Sequence, residues 1–556
     1  MRFCWGGGLN IYDIYRDCDH EPESKRMKAI RNGIFKSAKG MQLNGTTELW
    51  NFFDEKNKNE QLREVSKVAT GTPCLDVRKV LNIPTNVPAW EECSHSVFET
   101  FVRVYDDLSP FVMKAVDAKM RVLLYFGDTD MVCNFLQGQR FSAQLGLPSV
   151  ALATCLAAAP QQKQKDNNIN FLSTDTDLCT KLTSAGADEI EALPGLGEAP
   201  NFKHYSGYLK SADKHFLHYW FVTSQNDPCQ DPLVFWFNGG PGCSSLGGLL
   251  EELGPYLTNP DGKTLRQNPH SWNKNASVGR RLCLNDVWPS DETTAQGNYE
   301  AVKQFFDKFP LFRTNRVFIT GESYAGIYVP TLVAKILDGQ AKFPINLEGM
   351  AIGNGYVNAA MDTDTLARFA YFHGFVGESE WNEIEKECCA GCAENCNLGE
   401  QYGKCRAKVR DIELFCWRGG VNTYDIYRDC FPHQKNDVGL YLNTQRVREA
   451  LHIPPNVPTW DVCSDWIGKL YSTIYSDMSP FVLKAIEANL RVLLYYGDTD
   501  MACNFLLGQH FSKQLGVATL TEKKPWYFGG QIAGFKTEYA QNFTFITVRG
   551  AGHMVW

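Results

Sequence analysis

RVFITGESYAGIYVPTLVAKIL, residues 316–337, is the stretch on which the fold turns. Its first five residues are rich in β-branched and aromatic types, the composition of a buried strand. From Ile327 onward apolar residues recur at helical spacing, so the segment ends in a helix. The hexapeptide GESYAG (321–326) therefore occupies a strand-to-helix turn. Small neighbours permit a tight turn that lifts the Ser323 hydroxyl above a sheet, at the positive end of a helix, as in a nucleophile elbow. The match to G-x-S-x-G is imperfect, because Ala325 holds the last position and Gly326 follows it. A serine in an ordinary tight turn is the competing reading.

Working outward, DPLVFWFNGGPGCSS (231–245) joins an apolar strand at 233–237 to a Gly- and Pro-rich turn at 238–242. Glycines there let the backbone approach a ligand and point its N–H groups inward. Downstream, RVLLYYGDTD (491–500) is a β-rich run with Asp498 and Asp500 in the loop beyond it. FTFITV (543–548) is a third such run, and it leads to His553 in the Gly-rich RGAGHMVW. A lone histidine after a strand is usually a polar loop residue. Ser, Asp and His in this chain order, each just past a strand, is the α/β-hydrolase arrangement.

These segments resemble the signatures of the serine carboxypeptidases of the cathepsin A and carboxypeptidase Y type. The match rests on WFNGGPGCSS, GESYAG, GNG (353–355), GDTDMACN and GAGHM, in order and spacing, over about 190–556. The resemblance implies an α/β-hydrolase fold with a disulfide-bonded helical cap insertion, acting on peptide and protein C-termini without metal or cofactor. It makes Ser323 the nucleophile, His553 the general base and later acid, and Asp500 the carboxylate that orients the imidazole. Gly240 and Tyr324 would supply the oxyanion-hole N–H groups. Asn238, Gly239, Glu252 and Glu322 would receive the substrate's free carboxylate. Glutamates around an incoming carboxylate cannot all be ionised at low cost, so at least one is expected to hold a proton, which favours binding at acidic pH. Without the resemblance, Glu252 in EELGPY reads as part of a solvated helix face.

The resemblance also implies the pairs Cys243–Cys463, Cys388–Cys405 and Cys389–Cys396, with Cys503 a buried free thiol near the substrate. Cys430 lacks the partner expected before LHIP (451–454), whereas an earlier copy of this region retains both cysteines, as Cys18 and Cys74. A lysosomal or secreted setting follows, and a homodimer is allowed. A second reading of a different class is a catalytically impaired chain that acts only as a binding and protective partner of other lysosomal proteins. Fluorophosphonate labelling at Ser323 separates the two.

Composition agrees with a globular extracytoplasmic enzyme. Of 556 residues 44% are hydrophobic, and the net charge is −8. No basic field exists for a nucleic-acid backbone. Nineteen cysteines, five of them clustered at 388, 389, 392, 396 and 405, read as a disulfide framework. The CxxC of Cys389 and Cys392 leaves zinc as an alternative. Sequons at Asn44, Asn275 and Asn542 fit a glycoprotein. No apolar run of about 18 residues is present, so no membrane span is expected. The N-terminal ten residues lack an apolar signal core, whereas SVALATCLAAA (149–159) has the pattern of one inside the chain; a plain apolar linker is the other reading.

Self-comparison divides the chain. Residues 81–146 align without a gap on 451–516, and CWGGGLNIYDIYRDC from Cys4 matches CWRGGVNTYDIYRDC from Cys416. Residues 1–147 therefore read as a partial rear half of one enzyme unit, 148–190 as a linker, and 191–556 as the carboxypeptidase domain. The first copy has Asp130 without its own elbow serine or histidine, and it is expected to be inert.

Two departures from the family bear on integrity. After Ser277 the family has a long apolar strand and an ESPAGVGFSY-like loop, whereas this chain runs through VGRRLCLNDVW. A core strand and part of the pocket wall are thus expected to be missing; partial substitution by VGRRLCL is the alternative, against which Arg280 and Arg281 suit a buried strand poorly. Only three residues follow His553, where the family continues into a closing helix. The expected consequence is exposed apolar surface.

Overall fold

The computed structural model describes residues 13–15, 107–120, 122–147, 186–212, 215–283, 289–391, 396–418, 420–429, 436–528 and 530–555. Asn44, Cys18, Cys74, Cys392, Cys430 and the apolar run 149–159 lie outside them. Contacts divide the chain into two units, Met1–Asn168 and Ile169–Trp556.

In the first unit two helices are described, α1 (Ser109–Asp117) and α2 (Phe135–Gln144). They are the counterparts of two helices of the second unit, Ser479–Glu487 and Phe505–Gln514. The likeness extends to loop hydrogen bonds. Ile14 N–H donates to Thr129 O at 3.1 Å, as Ile426 N–H does to Thr499 O at 3.1 Å. Asp130 Oδ1 accepts from the N–H groups of Val132 and Cys133, at 2.7 and 3.3 Å. The strand does not recur: residues 122–127 form no ladder, and Val122, Leu124, Tyr125 and Phe126 are exposed. Their counterparts Val492, Leu494, Tyr495 and Tyr496 are buried. A strand needs neighbours to pair its backbone, and among the described residues of this unit none is present.

The second unit is built on ten strands. In chain order they are β1 (His204–Ala212), β2 (His215–Val222), β3 (Leu233–Phe237), β6 (Ser277–Cys283), β7 (Val317–Glu322), β8 (Leu347–Gly353), β9 (Arg491–Gly497), β10 (Thr519–Phe528), β11 (Gln531–Tyr539) and β12 (Phe543–Val548). A separate two-stranded ribbon, β4 (Tyr256–Thr258) and β5 (Leu265–Gln267), lies between β3 and β6 in the chain. The sheet order is β1-β2-β6-β3-β7-β8-β9-β12-β11-β10. Its centre, from β6 to β12, is parallel, and antiparallel pairs flank it. Interior parallel strands are covered on both faces and read as continuous apolar runs. LVFWF of β3 is buried at all five positions.

Alternation in β2 and β3 feeds two cores. Phe221 and Phe235 face helix α3 (Asp291–Lys308) and the turn after it, where rings of Phe305 on the helix and of Phe309 and Phe312 just beyond it meet them edge-on at 5.0 to 5.2 Å. Trp220 and Trp236 belong to the other core, with Leu249, Val278 and Tyr441.

The strand expected to be missing after Ser277 is present. VGRRLC completes β6, pairing antiparallel with β2 and parallel with β3. The expectation weighed two arginine side chains, whereas a strand between two ladders is held by its backbone on both edges. Val278 of this strand is buried.

Helix α4 (Ala325–Gly339) follows β7, and α5 (Ala359–Phe372) follows β8. The cap comprises α6 (Glu378–Cys388) and α7 (Gly403–Arg418), joined by Cys388–Cys405, with Cys389–Cys396 beside it. Trp381 and Ile384 of α6 and Val409 and Ile412 of α7 are buried, and the Trp381 ring stacks on Tyr371 of α5 at 4.5 Å. Cys243–Cys463 is a further pair. Because Cys389 is bonded to Cys396, the zinc reading of the CxxC falls. Among the described residues no group of His, Cys, Asp or Glu converges as a metal site. No described helix is long and apolar enough to cross a membrane.

Candidate active site

Ser323 stands between β7 and α4 with φ +64, the left-handed conformation that a sharp elbow imposes and that L-residues seldom adopt. Its carbonyl accepts from Gly326 N–H and Tyr356 N–H, at 2.8 and 2.9 Å. Crowding explains the small neighbours. A Cβ on Gly321 would lie 2.4 Å from Phe237 O, and one on Gly326 2.5 Å from Tyr356 O.

The turn after β3 closes on this elbow. A Cβ on Gly239 would fall 2.4 Å from Tyr324 N and 2.9 Å from Ser323 Oγ. Only glycine lets the two loops meet. Gly240 has φ +115. The turn bonds of these loops run through other amides, Cys243 N–H to Gly239 O and Gly326 N–H to Ser323 O.

Beside it Asn238 joins two buried glutamates. Its Nδ2 donates to Glu252 Oε1 at 3.0 Å and to Glu322 Oε1 at 2.7 Å. Trp236 Nε1–H donates to Asn238 Oδ1 at 2.9 Å and thereby orients the amide. Glu252 is 3% exposed and Glu322 5%, so the solvated-face reading of Glu252 is wrong. A short helical turn at Gly248–Glu252 carries it inward.

Asp500 is fully buried. Ala502 N–H donates to its Oδ1 at 2.9 Å, and Cys503 N–H to its Oδ2 at 3.2 Å. His553 Nδ1 lies 2.7 Å from the same Oδ2. That contact leaves Nε2 as the free ring nitrogen, buried and without a hydrogen-bond partner. No hydrogen bond joins it to Ser323 Oγ; such bonds commonly tighten only when substrate is bound. Tyr324 is fixed by its hydroxyl, which donates to Asp291 Oδ1 at 3.0 Å and meets Thr473 Oγ1 at 2.8 Å.

The sequence model of the serine carboxypeptidase family matches residues 4–181, 194–279 and 283–556. The chain belongs to this family. It is 37% identical to the mouse lysosomal protective protein over 432 residues, which span 66% of this chain and 90% of the relative. A serine carboxypeptidase of Caenorhabditis elegans is 36% identical over 429 residues, 67% of this chain and 91% of that one. Among solved structures, a prohormone-processing carboxypeptidase of Saccharomyces cerevisiae aligns with a TM-score of 0.58 at 23% identity. It covers 67% of this chain and 93% of the other, and it shows the shared α/β-hydrolase fold.

Several residues of this serine carboxypeptidase site went unassigned in the sequence. Asn354 donates through Nδ2 to Asp500 Oδ2 at 2.8 Å. Its GNG motif was legible, but the contact spans 146 residues. Asp498 accepts Gly550 N–H at 2.7 Å, which ties the Asp500 loop to the His553 loop. Burial pushes its carboxyl up to about 7, against that hydrogen bond and the charge of Arg549. Asp362, on the first turn of α5, has its Oδ1 shielded and without a partner. Burial, and then the charge of Asp500, push it up to about 8. Cys503, by contrast, is the buried free thiol that the resemblance implied, held well above its usual range by burial and by Asp362 and Asp500.

Proposed function

We propose that the second unit releases C-terminal amino acids from peptides and proteins through an acyl-enzyme, with Ser323 as nucleophile. The observation that supports the reading is that two constellations form within this unit. One is the Asp500–His553 pair, and the other is Asn238 bridging Glu252 and Glu322. Ser323 Oγ adds to the scissile carbonyl while its proton passes to His553 Nε2, and Asp500 stabilises the imidazolium that results. The oxyanion is met by the N–H groups of Gly240 and Tyr324. Collapse expels the leaving amino acid, which takes the proton from His553. Water then adds to the acyl group by the same route and regenerates Ser323.

Asn238, Glu252 and Glu322, with the Gly239 backbone beside them, receive the substrate's terminal carboxylate. A carboxylate entering next to two carboxyl groups binds best when one of them carries the proton, so the activity belongs to acidic pH. The lysosome or the secretory route suits this chemistry, together with the disulfides Cys243–Cys463, Cys388–Cys405 and Cys389–Cys396 and the exposed sequons at Asn275 and Asn542. The first unit, with Asp130 but no serine or histidine partner in its copy, is the inert part, and a homodimer is the assembly proposed.

The test is a peptide offered with a free and with an amidated C-terminus at about pH 5, alongside fluorophosphonate labelling. Release of the terminal residue from the free peptide only, with the label on Ser323, supports the reading. Equal rates on both peptides would make the chain an endopeptidase or esterase.

A further inference from the structure

We infer that Asn354 is a positioning residue for the reaction, holding the Asp500 carboxylate in the orientation that His553 requires. The inference rests on the triad reading above. Asn354 is completely buried, and every polar atom of its side chain is engaged between two loops. Nδ2 donates to Asp500 Oδ2 at 2.8 Å and to Cys503 O at 3.1 Å, while Oδ1 accepts Gly497 N–H at 2.9 Å. Its own N–H donates to Tyr495 O at 2.9 Å. Asp500 Oδ2 thus meets three donors, Asn354 Nδ2, Cys503 N–H and the His553 imidazole, and the buried amide limits where the imidazole can lie.

The backbone argues that this side chain is needed. Asn354 has φ +38, in the left-handed region that a Cβ disfavours and glycine tolerates. Gly353 and Gly355 flank it, and a Cβ on either would lie 2.6 Å from the Tyr495 ring or 2.3 Å from Ile352. A third glycine would relieve the strain, yet the position keeps a carboxamide. The first unit supplies a comparison within the chain. Asp130 there has the same kind of backbone donors, Val132 and Cys133, and no asparagine joins them among the described residues. Backbone amides alone therefore build the aspartate loop, and Asn354 adds the lateral tie to β8. The other titratable groups around Asp500 are Cys503, Asp362 of α5, Tyr424 and Tyr496. None of them is hydrogen-bonded through its side chain to Asp500.

Two variants of the full chain separate positioning from mere packing. Asn354→Gly suits the backbone but removes the amide, and kcat is expected to fall about 10- to 100-fold with KM within about twofold. Asn354→Asp keeps the shape. Protonated, its carboxyl still donates to Asp500; ionised, it repels it. Its kcat is expected to stay within about threefold of wild type near pH 4.5 and to fall at least about tenfold behind it by pH 7. A packing role gives no such divergence. The inference is overturned if the glycine variant folds and keeps wild-type kcat, or if the aspartate variant tracks the wild-type pH profile. Ser323→Ala is run in parallel: turnover there sinks the triad reading itself, whereas an inactive Ser323→Ala beside normal Asn354 variants sinks this inference alone.

Discussion

Tyr424 holds His553 at two points: its carbonyl accepts the His553 N–H at 2.7 Å, and its ring meets the imidazole at 4.8 Å between centroids. Next to it, Thr423 O accepts from Met501 and Ala502, and Ile426 N–H donates to Thr499 O. Residues 423–426 therefore brace both catalytic loops at once. Tyr424→Ala keeps the carbonyl and loses the ring, so kcat is expected to drop about tenfold, the equivalent of an aromatic contact of roughly 1.4 kcal/mol. Tyr424→Phe is expected to stay near wild type. Steady-state kinetics on one peptide decides, and an unimpaired alanine variant would show that the backbone tie suffices.

Ser323→Ala is expected to lose peptidase activity by about 10⁴-fold or more with an unchanged circular dichroism spectrum, because a small hydroxyl leaves a preformed turn. Asp130→Asn in the first unit is expected to leave turnover unchanged. A large loss at Asp130 would mean that the first copy enters the working site.

Asn238→Ala removes the amide that joins Glu252 Oε1 and Glu322 Oε1. KM for a free-carboxylate peptide is expected to rise about 10- to 100-fold, the range of one lost charge-assisted hydrogen bond. An amidated peptide, already a poor substrate, should be little affected by the change. Equal losses on both substrates would place the amide's role outside carboxylate recognition. Glu322→Gln is expected to weaken the dependence of KM on low pH.

Stability should decline from acid to neutral pH. Asp362 and Asp498 are pushed up to about 8 and about 7, chiefly by burial, whereas an unfolded aspartate titrates near about 3.9. Between those values the folded protein holds protons that the unfolded chain has released, so stability falls as pH rises through the window from about 4 to 8. Thermal unfolding followed from about pH 5 to 8.5 should show a falling Tm, and Asp362→Asn should flatten its upper part. An equally steep decline in that variant would remove Asp362 as a cause.

Much of this molecule was legible before any coordinates, for local reasons. A strand-to-helix turn of small residues announced Ser323, and β-rich runs ending in Asp500 and before His553 supplied the order of an α/β-hydrolase. These signals lie within about ten residues of chain, where periodicity and steric demand act directly. What only tertiary structure decided involves partners far apart in sequence. VGRRLC became β6 because β2 and β3 present ladders on both its edges, which side-chain character does not reveal. VLLYFG (122–127) in the first unit is nearly identical to its counterpart in β9 yet forms no strand, since the neighbours that pair with β9 are absent from its described surroundings. Asn354 reaches Asp500 across 146 residues and His553 reaches it across 53. Hydrogen bonds at such separations exist only once the sheet has brought the loop ends together, because the chain between them carries no local trace of the contact.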